Sequence, residues 1–269
     1  MLIGNTRIGG TGSLVIKNTY DADALAYLTA VEAADGQALE SSVKSAINTF
    51  VVGCKTDGIW DAIVASCILA GARTLAGAII PLKGDAPTNN NFVGGDYNRK
   101  LGLSGNDTDK YLNTGYNNND TTNFPQNDSH MSCYVTTSQT DASGTLVGGI
   151  NSVGSRFSIH YNTSTNIICR NRASTISTVS LAPIGFQGHY RDNSSSFNRR
   201  FTTAGGISDA SVAATSSAPA SELLGVFAAG SGTQFSSARM SFYSIGKSLA
   251  ISSLDTRITT LMNTLNALL

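Results

Sequence analysis

The chain has 269 residues, 13% of them charged, and a formal net charge of zero. That charged share is about half the roughly 25% usual for soluble domains, and a neutral chain offers no basic footprint for nucleic acid or an anionic membrane. No run of about 18 apolar residues occurs, so no membrane insertion is expected, and the length allows one large or two small domains.

Residues 1–20 read as an extended arm. Gly4, Gly9, Gly10 and Gly12 punctuate short apolar pieces, and the run Leu14, Val15, Ile16 is too short to make a core. Such a piece suits edge addition to another strand, including one on a neighbouring chain. The start MLIGNTRIGG lacks a basic stretch followed by apolar residues, so no cleaved export signal is expected. It also lacks the lysine of a phosphate loop.

Residues 21–72 read as a three-helix unit. In DADALAYLTAVEAADG, Leu25, Leu28 and Val31 recur at helical spacing, Asp21 or Asp23 can cap the start, and Asp35-Gly36 ends it. Leu39, Val43, Ile47, Phe50, Val51 and Cys54 form a second stripe. IWDAIVASCILAG reads as a third helix ending at Gly71.

Residues 73–250 change character. TLAGAIIPL suits a strand running into Pro81, and GDAPTNNNFVGGDYNRK reads as loop. Short strands then recur: DKYLNTGY, HMSCYVTT, TLVGGI, RFSIHYN, NIICRN, PIGFQGHYR, FNRRFTT, LLGVFAA and ARMSFYSI. Polar turns such as NNNDTTN, RDNSSS and AAGSGTQ separate them. That spacing predicts a mainly β chain folded as a β-sandwich or jelly roll.

Residues 251–269 read as an amphipathic helix with a stripe of Leu254, Ile258, Leu261, Met262 and Leu265. Ser252 and Asp255 resemble a capping box. A helix this short is marginal alone, so the stripe is expected to bury against the N-terminal helices, the back of the sandwich, or the same helix of a partner chain. The reading taken is an assembly surface.

The strings AYLTAVEAADGQALESSVKSAINTFVVGCKTDGIWDAI, KYLNTGY, GFQGHYRDNSSSFNRR and FYSIGKSL with the tail LDTRITTL resemble bacteriophage virion structural proteins. Those proteins carry a concanavalin-A-like (laminin-G-like) jelly roll, and the resemblance spans about residues 22–269. It implies a place in a virion assembled in the host cytoplasm, as a tail or fibre adhesion protein or as a capsid decoration protein. It also implies partners among other virion proteins and further copies of the chain, three in a fibre form, with a host surface glycan as ligand.

Candidate chemistry is sparse. Cys54, Cys67, Cys133 and Cys169 share no C-x-x-C spacing and read as buried thiols. Glycosidase chemistry needs paired carboxyl groups, yet Glu222 is the only Glu after residue 40. With no G-x-S-x-G elbow either, the chain reads as no enzyme and as needing no cofactor. Asn106, Asp107 and Asp109 in SGNDTDK offer oxygen ligands for Ca²⁺, or simply Asx turns. Phe186, Gln187, His189, Tyr190, Arg191, Asp192 and Asn193 offer aromatic, amide and guanidinium groups to a sugar, or form a plain hairpin. Arg170, Arg172, Arg199 and Arg200 suit an anionic ligand or solvated strand edges.

Overall fold

The computed structural model describes residues 20–140, 143–150, 154–163, 166–180 and 184–269. The expected arm, including Leu14, Val15 and Ile16, lies outside the described residues. Chain order begins with α1 (Ala22–Asp35), α2 (Ser41–Thr56) and β1 (Ile63–Ile68). A one-turn helix α3 (Leu75–Ala78) leads into β2 (Pro81–Lys83), β3 (Thr88–Asn90), β4 (Tyr97–Asn98) and β5 (Gly102–Ser104). The longer strands are β6 (Tyr111–Asn117), β7 (Ser129–Thr137), β8 (Gly144–Gly149), β9 (Phe157–Thr163) and β10 (Asn166–Asn171). They continue as β11 (Ser177–Ser180), β12 (Gly185–Arg191), β13 (Ser196–Thr203), β14 (Gly206–Ala213), β15 (Leu223–Val226) and β16 (Arg239–Gly246), before α4 (Ile251–Leu268).

Two antiparallel sheets face each other as a jelly-roll β-sandwich. Sheet A runs β14-β13-β12-β7-β16-β1-β2, and sheet B runs β11-β10-β9-β8-β15-β6-β3. Met131, Cys133, Phe197, Phe201, Tyr243 and Ile245 of sheet A meet Leu112, Leu146, Phe157, Ile159 and Val226 of sheet B in one dry core. The opposite face of sheet A is also apolar. Ile63, Ile68, Phe186 and Phe242 lie there under a second core made with α1, α2 and α4. Alternation along each strand sends successive side chains into the two cores.

The helices begin and end for local reasons. The Asp21 carboxylate accepts from the Asp23 N–H at the start of α1, and Gly36 takes the left-handed conformation that closes it. The buried face of α1 is Ala24, Tyr27, Leu28 and Val31, whereas Leu25 stays half exposed. The expected third helix is instead β1, a central strand between β16 and β2. Its run from Ile63 to Ala70 has no polar face, and an apolar run of that length suits a strand buried on both sides as well as a helix. The expected strand TLAGAIIPL begins as α3, capped by the Thr74 hydroxyl on the Gly77 N–H. Asp35 holds that cap by accepting from the Arg73 and Thr74 N–H groups.

α4 corrects the assembly reading. Leu254, Ile258, Leu261, Met262 and Leu265 are buried within this chain, against α2 and sheet A. They form core, and of them only Leu261 also reaches the edge of a groove between α2 and α4. The physical reason is the second apolar face of sheet A, which gives the stripe a place to go inside the chain. Gly53 on α2 leaves room for the Arg257 side chain of α4, whose Nε would lie 2.8 Å from a Cβ there. Arg257 then reaches Asp57 with two N–H donors at 2.8 Å each. The expected capping box is absent as well: Ala250 holds the N-cap position without a side-chain bond, and Asp255 is drawn to Arg200.

Ile258 is fully buried, so Ile258→Ala is expected to lower the unfolding free energy by about 2–5 kcal/mol, as other buried Ile-to-Ala changes do. Asn263→Ala on the exposed face should stay within about 0.5 kcal/mol. Urea unfolding of both variants checks this.

Candidate functional site

α4 packs on α2, passes over β12 and reaches β13. Beside the start of α4, the outer face of β13 and β14 stays open. Strand register there sets the rows. Tyr190, Asn198 and Ser211 stand opposite one another, then Gly188, Arg200 and Asp209, and beyond them Thr202 pairs with Ile207. The first two rows and the start of α4 enclose a cleft of about 410 Å³. A second hollow of about 240 Å³ shares Tyr190 and adds Asp192 and Ser248.

Arg200 organises this cleft. Its Nη1 donates to Asp209 Oδ2 and its Nε to Asp255 Oδ2, both at 2.7 Å. Asp255 also accepts from the Thr259 hydroxyl at 2.9 Å. One guanidinium therefore ties β13 to β14 and to α4. The close approach of α4 depends on Gly188, where a Cβ would lie 3.0 Å from Ile251 Cδ1 and 2.7 Å from the Phe186 ring. Tyr190 forms one wall. Burial, with the Asp192 and Asp209 carboxylates adding to it, raises the pKa of its phenol. A neutral phenol, an amide, a hydroxyl and a carboxylate thus face one hollow.

The patch read along the sequence is split by strand alternation, so most of the expected sugar contacts are corrected. Phe186 is buried under the helices. Gln187, His189 and Arg191 are fully buried on the other side of the strand. Gln187 donates to the Thr202 carbonyl, and His189 Nδ1 meets the Asn171 amide at 3.1 Å. Asn193 spends its Oδ1 on the Ser195 and Ser196 N–H groups, an Asx turn. Tyr190 and Asp192 alone of that set reach the open face.

At 106–110 the structure shows the Asx-turn alternative. Asn106 Oδ1 accepts from the N–H groups of Thr108, Asp109 and Lys110 at 3.1 Å each, and its amide donates to Asp109 Oδ1 at 2.7 Å. Asp107, in the left-handed conformation, is part of that turn. Asn106 Oδ1 and Asp109 Oδ1 thus serve the turn, and Asp109 Oδ2 accepts from the Asn91 amide. Among the described residues no group of three His, Cys, Asp or Glu could hold a metal.

The arginines do not form an anion site. Arg172 is fully buried; it donates to the Asn118 and Phe124 carbonyls, and burial pushes its pKa down to about 9. Arg191 donates to the Asn171, Asn193 and Ala214 carbonyls. Arg199 turns toward sheet B and bonds the Ser177 hydroxyl, while Arg200 is paired on the opposite face.

Asn198, Asp209 and Ser211 were not singled out from the sequence. The signal was present: the turn TAGG at 203–206 folds the chain so that 200 opposes 209. Sequence reading also missed His130, whose Nε2 accepts from Ser244 at 3.0 Å while Ser132 meets the same hydroxyl at 2.8 Å. The Lys247 carbonyl fixes the proton on His130 Nδ1. All three side chains are fully buried beneath the helical layer.

No family model matches the chain, and no curated protein matches it. Solved structures share the fold. An HCR/D mutant is 11% identical with a TM-score of 0.46, covering 74% of this chain and 52% of its own. An arabinofuranosidase complexed with arabinofuranosyl-alpha-1,2-xylobiose is 10% identical with a TM-score of 0.41, covering 76% and 43%. A Trypanosoma rangeli sialidase bound to 2,3-difluorosialic acid is 10% identical with a TM-score of 0.41, covering 82% and 38%. This chain therefore spans about half or less of each. The expectation that the chain is no enzyme is corrected only this far: a sialidase and an arabinofuranosidase are among the solved structures it is similar to. At these identities the likeness shows the fold alone, and no activity or ligand passes to this chain.

The buried histidines make stability pH-dependent. Burial pushes His130 down to about 4 and His160 and His189 to about 3, from 6.5. Between those values the unfolded chain binds protons that the folded chain does not. Unfolding free energy is therefore expected to fall as the pH drops from about 6.5 toward 5, by about 1.4 kcal/mol per unit for each histidine once below 6.5. Urea unfolding at pH 7, 6 and 5 measures the slope, and His160→Asn should make it shallower.

Proposed function

We propose that the chain is a glycan-binding adhesion module of a bacteriophage virion, borne on a tail or fibre. The observation that carries the glycan part is the open cleft on sheet A. Tyr190 supplies an aromatic wall, and Asn198, Ser211 and Asp209 supply an amide, a hydroxyl and a carboxylate that is 59% exposed. Sugars are recognised by that combination of ring face and hydrogen-bonding edge. The virion part rests on the resemblance of KYLNTGY, GFQGHYRDNSSSFNRR and FYSIGKSL to phage structural proteins. In this reading the arm at residues 1–20 makes the attachment to other virion proteins and to further copies, three in a fibre.

One feature favours the second reading, a capsid decoration protein. Between α2 and α4 runs a groove of about 430 Å³ lined by Ala46, Phe50, Leu261 and Leu268 with Ser and Thr between them. Its only charged lining residue, Arg257, is already paired with Asp57. Such a surface suits contact with another protein.

A glycan array probed with the full chain separates the two. Adhesion predicts binding that falls about tenfold or more on Tyr190→Ala, in line with the loss of an aromatic anchor, and falls on Asn198→Ala. Unchanged thermal melts of both variants would show that the fold is retained. No array signal, together with rebinding of the purified chain to stripped heads, would favour decoration.

A further inference from the structure

We propose that the cleft selects neutral sugars bearing a free vicinal diol and rejects acidic ones. The inference rests on the glycan-binding reading above and concerns which glycan the same site takes.

The charged side chains that face the cleft are Arg200 and Asp209, paired with one another, while Asp255 holds Arg200 from a nearly buried position outside the lining. Asp192 borders the adjoining hollow. Arg199 lines the cleft with its strand, yet its guanidinium is directed to Ser177 and Ser208 on the far face. The cleft therefore offers a ligand no uncompensated cation, and a ligand carboxylate would meet the exposed Asp209, with Asp192 close by, and no free positive partner.

Hydrogen-bond geometry points the same way. Arginine captures a carboxylate through two parallel N–H donors along one edge of the guanidinium. One such edge of Arg200 pairs Nε with Nη2, and the other pairs Nη1 with Nη2. Nε is committed to Asp255 and Nη1 to Asp209. Each edge has thus lost one of its two donors. A fork-like grip on a sugar acid would require breaking a pair whose inner member, Asp255, is almost fully buried. Breaking it would leave that carboxylate without its cation, which is costly in a buried place.

What remains fits a diol. Asp209 holds Arg200 through Oδ2, which leaves Oδ1 to accept a sugar hydroxyl. Asn198 stands in the next row on the same face, two residue pairs along the strand from the Arg200–Asp209 pair, and its amide both donates and accepts. Two adjacent hydroxyls can bridge Asp209 and Asn198 while the ring lies on Tyr190. The arrangement places an acceptor-only group where a neutral sugar presents donors.

The test uses the full chain with matched oligosaccharides, one set neutral and one carrying a uronic or sialic acid at the same position, titrated by calorimetry. Neutral members should bind at least tenfold more tightly than their acidic partners. Asp209→Asn, which keeps the shape and removes the charge, should weaken neutral binding about tenfold or more, as loss of a charged hydrogen-bond acceptor does, and narrow the gap to the acidic set. Asn198→Ala should weaken neutral binding without changing the thermal melt. Acidic partners binding as tightly as neutral ones, with both losing affinity in Tyr190→Ala, would overturn the selectivity and leave the adhesion reading standing. Neutral binding untouched by Asp209→Asn and Asn198→Ala would overturn the site. Binding by neither set would overturn the adhesion reading together with this inference.

Discussion

The central strands of sheet A carry large apolar side chains on both faces, and the fold depends on covering both. Sheet B covers one through Phe157, Ile159 and Leu112; α1, α2 and α4 cover the other, with Phe50 of α2 set edge-on to Phe242 of β16 at 5.9 Å. Burial of large side chains contributes about 1.5–3 kcal/mol each, so leaving either face wet would cost more than a marginally stable domain can bear. The terminal helix is held by this requirement. Gly53 and Gly188, one on the neighbouring helix and one on the strand below, let α4 settle between them. The helical cover is narrower than the sheet. Where it stops, β13 and β14 keep a polar outer face, and the cleft is the boundary between covered and uncovered sheet.

Inside the sandwich two buried guanidinium groups bond mainly to main-chain carbonyls. Arg172 and Arg191 are fully buried and donate to carbonyls in the segments around 118, 124, 171, 193 and 214. Each guanidinium also lies against an aromatic ring, Arg172 over Phe157 at 4.6 Å and Arg191 over Phe197 at 5.8 Å. A forked donor with several fixed N–H groups can satisfy several loop carbonyls at once. The arginines thus pin the connections at one end of the sandwich, and Arg191 is lost to ligand binding for that reason. Arg200, on the opposite face and only partly buried, does the equivalent work there, joining two strands to a helix.

Much of this was legible in the sequence. The strands DKYLNTGY, HMSCYVTT, FNRRFTT and ARMSFYSI carry alternation and polar turns and stand as β6, β7, β13 and β16. The Asp21 cap and the Gly36 stop of α1 follow from residue chemistry at known positions. IVASCI misled because an unbroken apolar run has no period, and only its neighbours β16 and β2 decide that it is a strand. GISDASVA was passed over because Gly, Ser, Asp and Ala are poor strand formers; its pairing with β13 along the whole hairpin overrides that preference. The candidate site was half legible. Tyr190 and Asp192 lie where a sugar can reach, but a contiguous string of promising residues on a strand divides between two faces, and Asn198, Asp209 and Ser211 come from strands that register alone brings together.

The account places the stripe of α4 inside the chain, as part of the cover on sheet A. Amide hydrogen exchange across Leu254–Leu265, followed at two protein concentrations a factor of about ten apart, tests that most directly, since exchange from a core element reports global opening. The account predicts protection equal to that of the central strands β7 and β16 and unchanged by dilution. Exchange as fast as in a frayed helix, or protection that appears only at the higher concentration, would contradict it.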